Sequence, residues 1–431
     1  MEILLLFATA LVFVACSASA AVLPLDTPEM AIKVEAGEYI VRGRTVRVAC
    51  AAQLPIAPPD RIEVRREEVV ITDEPPQAYS GGTVLAKTLG PVDRFTRYPN
   101  AIDPASVRVY SPEPGGAAYA EAKDYTLDHT WGGLARVESG GIPKGARVCV
   151  DYDVFLQRVD LVQVSPAGAA HIKRGLSAMA CPEMPAPDPG FTALAYAYVP
   201  HRAGAITGES VYPIPATGIT WRDFAEVSGR GNLRHTLGLL KSRQPVTVVC
   251  WGDSVTAGGS SSSPDKCYVE LFRSRLKAAY PGTPITLINA GIGGSNTDSR
   301  RAGFEKEVLA HKPDLITVEF INDVGMGPDR IKSNWAEFVS RARSANPKVE
   351  FIFLTPHFMM PEWMGSFGKS VAAMRNAAEE NKAALGDAAK VWANLRAVGI
   401  PYETLLANGI NHPNDLGHEF FAECLMRLAG P

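Results

Sequence analysis

The sequence has no long basic run. Lys and Arg number 43 against 46 Asp and Glu, a formal net charge of −3. Without clustered cations a chain cannot track a phosphate backbone, so nucleic acid is excluded as a partner. There is no CxxC or HExxH pair, and the scattered histidines lack ligand spacing. Neither a metal nor another cofactor is therefore expected. Beyond the first twenty residues no stretch approaches the roughly 18 uninterrupted apolar residues of a membrane-crossing helix, so the mature chain is expected to carry no integral membrane segment. No internal repeat is evident.

The opening MEILLLFATALVFVACSASA has an apolar stretch from Ile3 to Ala15, too short to span a bilayer, and then Ala18-Ser19-Ala20 as a small-residue cleavage site. Residues 1–20 read as a signal peptide, which predicts a secreted or periplasmic protein. Cys16 after Val14-Ala15 loosely matches a lipoprotein cleavage box, so lipid anchoring at Cys16 is the alternative; Phe13 fits poorly where a Leu is usual. Beyond it lie Cys50, Cys149, Cys181, Cys250, Cys267 and Cys424, an even set that suits either disulfides in an exported protein or buried free thiols.

At 431 residues, 46% of them hydrophobic, the chain can bury more than one core, and its two halves have different rhythms. Over residues 22–215 the apolar runs are short and alternating, as in Thr45-Val46-Arg47-Val48, Arg61-Ile62-Glu63-Val64 and Val107-Arg108-Val109-Tyr110, with Pro, Gly and Asp between them. Period two predicts an antiparallel, sandwich-like β domain. Tyr119, Tyr125 and Trp131 within it could offer a sugar-stacking surface or pack as core. The Pro-rich run from Cys181 to Gly190 reads as a rigid connector.

Residues 216–243 read as a linker and leading helix, and 244–431 as an α/β domain. Val246 to Trp251, Ile285 to Asn289, Leu315 to Phe320 and Val349 to Leu354 are continuous apolar runs, as strands covered on both faces require. Helical patterns alternate with them over Asp265 to Tyr280, Thr297 to Ala310, Pro328 to Ala345 and about Lys369 to Leu385. This order predicts a flavodoxin-like, doubly wound parallel sheet whose ligands gather at the carboxyl ends of the strands.

Four segments at those ends carry chemistry. Trp251-Gly252-Asp253-Ser254-Val255-Thr256-Ala257-Gly258 presents a serine at a strand end, although the G-x-S-x-G elbow is absent because Thr256 takes its second glycine position. Asn289-Ala290-Gly291-Ile292-Gly293-Gly294-Ser295-Asn296-Thr297 offers free main-chain N–H groups before a helix, a place for negative charge. In Phe320-Ile321-Asn322-Asp323 a side-chain amide could donate to a developing anion, though such a pair is also ordinary turn chemistry. Asn411-His412-Pro413-Asn414-Asp415 brings a candidate general base just before the last helix, which Asn414 or Asp415 would cap.

Together, over about Gln244 to Leu428, the blocks GDSVTAG, NAGIGGSNT, FIND and His412-Pro413 resemble the SGNH hydrolases, the GDSL esterase and lipase superfamily. The resemblance implies Ser254 as nucleophile and His412 as its base. It further implies an oxyanion hole from the N–H of Ser254, the N–H of Gly294 (Gly293 if the block aligns one residue differently) and the amide of Asn322. His357, after the fourth strand, could touch substrate or be a packed loop histidine. The family places an Asp three residues before the catalytic histidine, and here that residue is Gly409. The expectation is a dyad oriented by a neutral acceptor from residues 408–411, with a carboxylate from Asp387 or Asp415 as the competing idea. Export and the accessory domain point by analogy to an acylated small-molecule or polysaccharide substrate, preferentially an O-acetylated carbohydrate. The alternatives are a lipase or lysophospholipase of the same superfamily, and a carbohydrate-binding or adhesive protein whose SGNH-like domain is inactive.

Overall fold

A computed structural model describes residues 20–78, 80–85 and 98–431. The expected signal peptide and Cys16 lie outside the described residues. None of the described helices is long and apolar enough to cross a membrane.

The N-terminal half is built from antiparallel pairings, as its alternation predicts. Arg147–Phe155 pairs with Arg61–Val70 on one side and Arg108–Tyr110 on the other, and Arg158–Val164 lies between Ala170–Lys173 and Thr192–Val199. Its apolar side chains form separate clusters. One gathers Val109, Leu134, Val150 and Tyr152; the other gathers Ile32, Val34, Val162 and Val199. Tyr125 and Trp131 are buried and Tyr119 packs half-buried on the first cluster, so these rings serve as core. The connector from Cys181 to Gly190 has no regular structure and runs within the β half.

In the C-terminal half the strand order is Glu226–Ser228, Ala384–Asp387, Glu350–Leu354, Leu315–Glu319, Val246–Gly252, Ile285–Gly291. All neighbours are parallel except the first pair. Numbered along the chain, the parallel strands run 2-1-3-4-5, the flavodoxin order, whose ligand crevice opens between strands 1 and 3. Ser254 follows strand 1 and Asn322 follows strand 3, so topology alone brings them to one crevice.

The first strand is covered on both faces. Val248 and Cys250 enter one core while Val249 and Trp251 enter the other. Trp251 is fully buried, with the rings of Phe304, Phe320 and Phe338 centred 4.9, 4.7 and 4.7 Å away. Truncating it to alanine is expected to cost about 3–5 kcal/mol. The helix Pro328–Ala345 begins with its proline in the first turn and buries Ile331, Asn334, Trp335, Phe338, Val339 and Ala342, one stripe at helical spacing.

Three elements differ from expectation. Residues 297–310 form short α and 3-10 pieces in place of one helix. The helix expected to run to Leu385 ends at Glu380, and Ala384–Asp387 is a fifth parallel strand after Lys382 turns left-handed at φ 50°. Within 216–243, Glu226–Ser228 is the antiparallel edge of the C-terminal sheet and Arg234–Lys241 the leading helix. The two halves meet closely: Asn100 donates to Glu362 at 3.0 Å, Arg396 donates to the carbonyl of Val211 at 2.9 Å, and Trp131 packs with Met360 and Ile410. All six described cysteines are free thiols.

Candidate active site

Gly252, the last residue of the first strand, has no room for a side chain. A Cβ there would lie 2.0 Å from Thr256 Oγ1 and 2.2 Å from the Glu319 carbonyl. The chain therefore turns tightly against the neighbouring strand and delivers Ser254 to the crevice. The turn is pinned by Asp253, whose buried carboxylate accepts the N–H of Val255 at 3.0 Å with one oxygen and that of Asn322 at 3.0 Å with the other. The same carboxylate thus ties the serine block to the asparagine block. Asn322 Nδ2 donates to the Ser295 carbonyl at 2.9 Å, which joins the glycine block to them. The N–H groups of Ser254, Gly293 and Gly294 donate to no described residue, as donors reserved for a ligand anion must. Gly294 is left-handed at φ 71° with open space around it, whereas a Cβ on Gly293 would sit 3.8 Å from that of Ser254.

Under this turn lies a group of buried acids. Burial pushes Asp253 up to about 7 and Asp323 up to about 6, and it holds Glu319 well above the usual carboxylate range. Glu319 accepts the Thr256 hydroxyl at 2.9 Å, and Thr256 also meets the Tyr268 hydroxyl at 2.7 Å. Asp323 accepts the N–H of Thr297 at 2.9 Å and the indole N–H of Trp335 at 2.9 Å, which holds the start of the helical turn after the glycine block. A further clamp is Arg300, which donates to the Gly252 and Ala290 carbonyls, each at 3.0 Å.

His412 Nε2 lies 2.9 Å from Ser254 Oγ, across 158 residues of sequence. The loop that brings it there is organised by Asn408, whose Oδ1 accepts the N–H groups of Ile410, Asn411 and His412 at 3.0, 2.9 and 2.9 Å. Gly409 inside that loop is left-handed at φ 70°, and a Cβ on it would lie 3.0 Å from Ala180 and 3.2 Å from the Tyr98 ring. A side chain at position 409 would crowd Ala180 and Tyr98. On the other ring nitrogen, Ser260 Oγ stands 3.1 Å from His412 Nδ1. Ser260 belongs to the loop that carries Ser254. Asn408 instead orients the histidine through its main chain.

The carboxylates considered for a triad have other engagements. Asp415 receives the N–H and hydroxyl of Ser262 at 2.8 and 2.6 Å, while Asp387 receives the Thr355 hydroxyl and the Arg375 guanidinium, each at 2.8 Å. The helix cap is Asn414, which accepts the N–H of Gly417 at 3.1 Å. His357 requires a correction: it is fully buried, so it does not face the crevice. Its Nε2–H donates to the Asn411 carbonyl at 2.8 Å, and burial lowers it to about 3, so it is a neutral prop of the histidine loop. His418, also buried, donates to the Gly259 carbonyl at 3.3 Å and steadies the opposite loop.

The structure therefore gathers Ser254, the glycine pair, Asn322 and His412 at one strand-end crevice. Sequence reasoning missed Ser260, Arg300 and the role of Asp253. Asp253 stood inside a quoted motif, Ser260 had only its serine-rich surroundings to mark it, and Arg300 had no local signal. Beside the Ser254 loop a cavity of about 360 Å³ is lined by Ser261, Ser262, Glu270 and Asn289 among others. No described group of His, Cys, Asp and Glu could hold a metal ion.

Residues 250–420 match the model of the GDSL-like lipase/acylhydrolase family. The chain is 27% identical over 205 residues to an acetylxylan esterase of Geobacillus stearothermophilus, a match covering 42% of this chain and 91% of that one. It is 30% identical over 105 residues to an uncharacterized lipoprotein of Bacillus subtilis (strain 168), covering 22% and 43% respectively. Among solved structures, a two-domain esterase active on acetylated mannans aligns with a TM-score of 0.41 and 21% identity over 46% of this chain, which spans about half (52%) of that one.

Proposed function

Because its C-terminal half belongs to the GDSL-like lipase/acylhydrolase family, the SGNH hydrolases, we propose that the chain is a secreted serine esterase that removes O-acetyl groups from a carbohydrate. The observation that carries the reaction is the 2.9 Å approach of Ser254 Oγ to His412 Nε2. Ser254 attacks the ester carbonyl as His412 takes its proton at Nε2, with Ser260 Oγ within hydrogen-bond reach of Nδ1. The oxyanion is held by the N–H groups of Ser254 and Gly294 and by the amide of Asn322. His412 returns the proton to the leaving alcohol, and water activated by the same nitrogen releases acetate from Ser254.

The choice of substrate rests on the likeness to an acetylxylan esterase. It also rests on the small, polar loop from Gly258 to Pro264 that follows Ser254, where a lipase would need a long apolar acyl channel. The test is acetate release from acetylated xylan, mannan and related polymers beside phospholipid and triglyceride controls. Release from polysaccharide with none of the lipids cleaved supports the reading, and the reverse pattern overturns it. Labelling by an organophosphonate at a residue other than Ser254 overturns the nucleophile.

A further inference from the structure

A second and larger cavity, of about 560 Å³, opens where the β half meets the C-terminal half. Its volume is in the range of small-molecule sites. It is lined by Tyr198 and Tyr212 from the β half and by Tyr402, Glu403 and Glu362 from the C-terminal half, and none of Ser254, Gly294, Asn322 or His412 lines it. Nothing in the reaction above uses these groups.

The chemistry of the lining selects among ligands. No Lys or Arg lines the cavity among the described residues, so an anion finds no counter-charge. A cation is disfavoured too: the Arg396 guanidinium already sits 5.0 Å over the Tyr212 ring and pairs with Glu209 at 3.4 Å. What remains suits a neutral polyol. The lining offers aromatic rings, and Glu362 is held in place by Asn100 at 3.0 Å. It also offers Glu403, whose buried Oε2 has no hydrogen-bond partner. Burial raises Glu403 to about 7, so near neutrality this carboxyl can both donate to and accept from a hydroxyl. The Tyr402 ring is fixed edge-on against Phe358 at 5.6 Å, which presents a rigid platform at little entropic cost.

We propose that this cavity binds a neutral, unacetylated sugar unit of the same polymer whose ester is cleaved at Ser254. The proposal rests on the esterase reading for the identity of the polymer. The positions are compatible: Gly409 lines the cavity and His412 is three residues further along the same loop. Their Cα atoms are therefore at most about 11 Å apart, a span that an oligosaccharide of a few units crosses. The β half would thus take part in substrate binding through Tyr198 and Tyr212.

The test uses the full chain carrying Ser254→Ala, titrated calorimetrically with xylohexaose and with mannohexaose, neither of them acetylated. Binding of one or both is expected, weakened at least about tenfold, or about 1.4 kcal/mol, by Tyr402→Ala and by Glu403→Met. Glu403→Met keeps the side-chain volume, so it remains informative if loss of the Phe358 contact unfolds Tyr402→Ala. In the Ser254 background, hydrolysis of p-nitrophenyl acetate by both variants should stay within about twofold of wild type, as for sites without shared partners. Absence of binding to both hexaoses, undiminished affinity in the folded variants, or a parallel loss of p-nitrophenyl acetate hydrolysis would each overturn the sugar site. If wild type fails to hydrolyse that ester yet still binds a hexaose at this cavity, the esterase reading falls and the sugar site stands.

Discussion

The two loops that meet at Ser254 and His412 are held by opposite chemistry. The Ser254 loop rests on buried carboxyls, Asp253 and Glu319, that burial holds far above their usual range. The histidine loop rests on the neutral amide of Asn408 and a neutral buried imidazole, His357. Both sides of the site are therefore coupled to protons through their scaffolds, but with opposite sign: the buried acids keep a proton that the unfolded chain loses, and His357 refuses one that the unfolded chain takes up. Stored acid beneath the serine aligns three strand ends at once, because a carboxylate can accept from two chain segments, whereas a single asparagine suffices to close one local turn.

The comparison breaks most completely when either loop loses its reacting group. Ser254→Ala and His412→Ala should each lower kcat on the order of a million-fold, and the double variant should be no worse than either single one. Additive losses in steady-state kinetics would mean that the two residues do not act as a unit. Next in size is Asn322→Ala, expected to lower kcat by about a hundred- to a thousand-fold at nearly constant KM, the usual loss for one oxyanion donor. A change confined to KM would make Asn322 a ground-state contact.

The proton asymmetry is read from stability. Burial raises folded Asp253 to about 7 from the ordinary aspartate value of 3.8, so in that window the folded state keeps a proton that the unfolded state has lost. Stability contributed by the protonated group is complete below the lower value and is lost as pH rises toward the upper one. Asp253→Asn should therefore flatten the fall of stability between about pH 4 and 7 in urea titrations. Asn408→Ala, by contrast, should cost about 1–3 kcal/mol at both ends of the window, from N–H groups left without their acceptor. Equal slopes in wild type and Asp253→Asn would remove the asymmetry. The smallest effect is expected at Ser260, where losing a neutral hydrogen bond of about 0.5–1.5 kcal/mol lowers kcat about three- to tenfold. A loss of about ten-thousand-fold at any single Asp→Asn would instead identify a triad carboxylate.

Much of this site can be read from local sequence. A strand that ends in Gly252-Asp253-Ser254 and a histidine followed by proline are short-range patterns, and the apolar runs on either side place them at strand ends. Other features depend on who lies opposite. Ser260 reaches His412 across 152 residues, and no spacing rule encodes that approach. His357 shares its strand-end position with residues that do face the crevice, and only the packing of Trp392 and Phe421 around it decides that it is buried. The strand Ala384–Asp387 was hidden because Asn381-Lys382-Ala383-Ala384-Leu385 favours helix locally, while pairing with Glu350–Leu354 outweighs that preference.

The sequence by itself determined the α/β order of the C-terminal half, the antiparallel character of the N-terminal half and the motifs that hold Ser254, Asn322 and His412, since each is written in periodicity or in a compact motif. Only the tertiary structure decided that Asp253 binds two blocks together, that Gly409 packs closely against Ala180 and Tyr98, that the β half buries two separate clusters and that a tyrosine-lined cavity lies between the halves. The physical reason is range: periodicity and turn chemistry act over a few residues, whereas desolvation, steric exclusion and the closure of a cavity depend on atoms that the chain brings together from far apart.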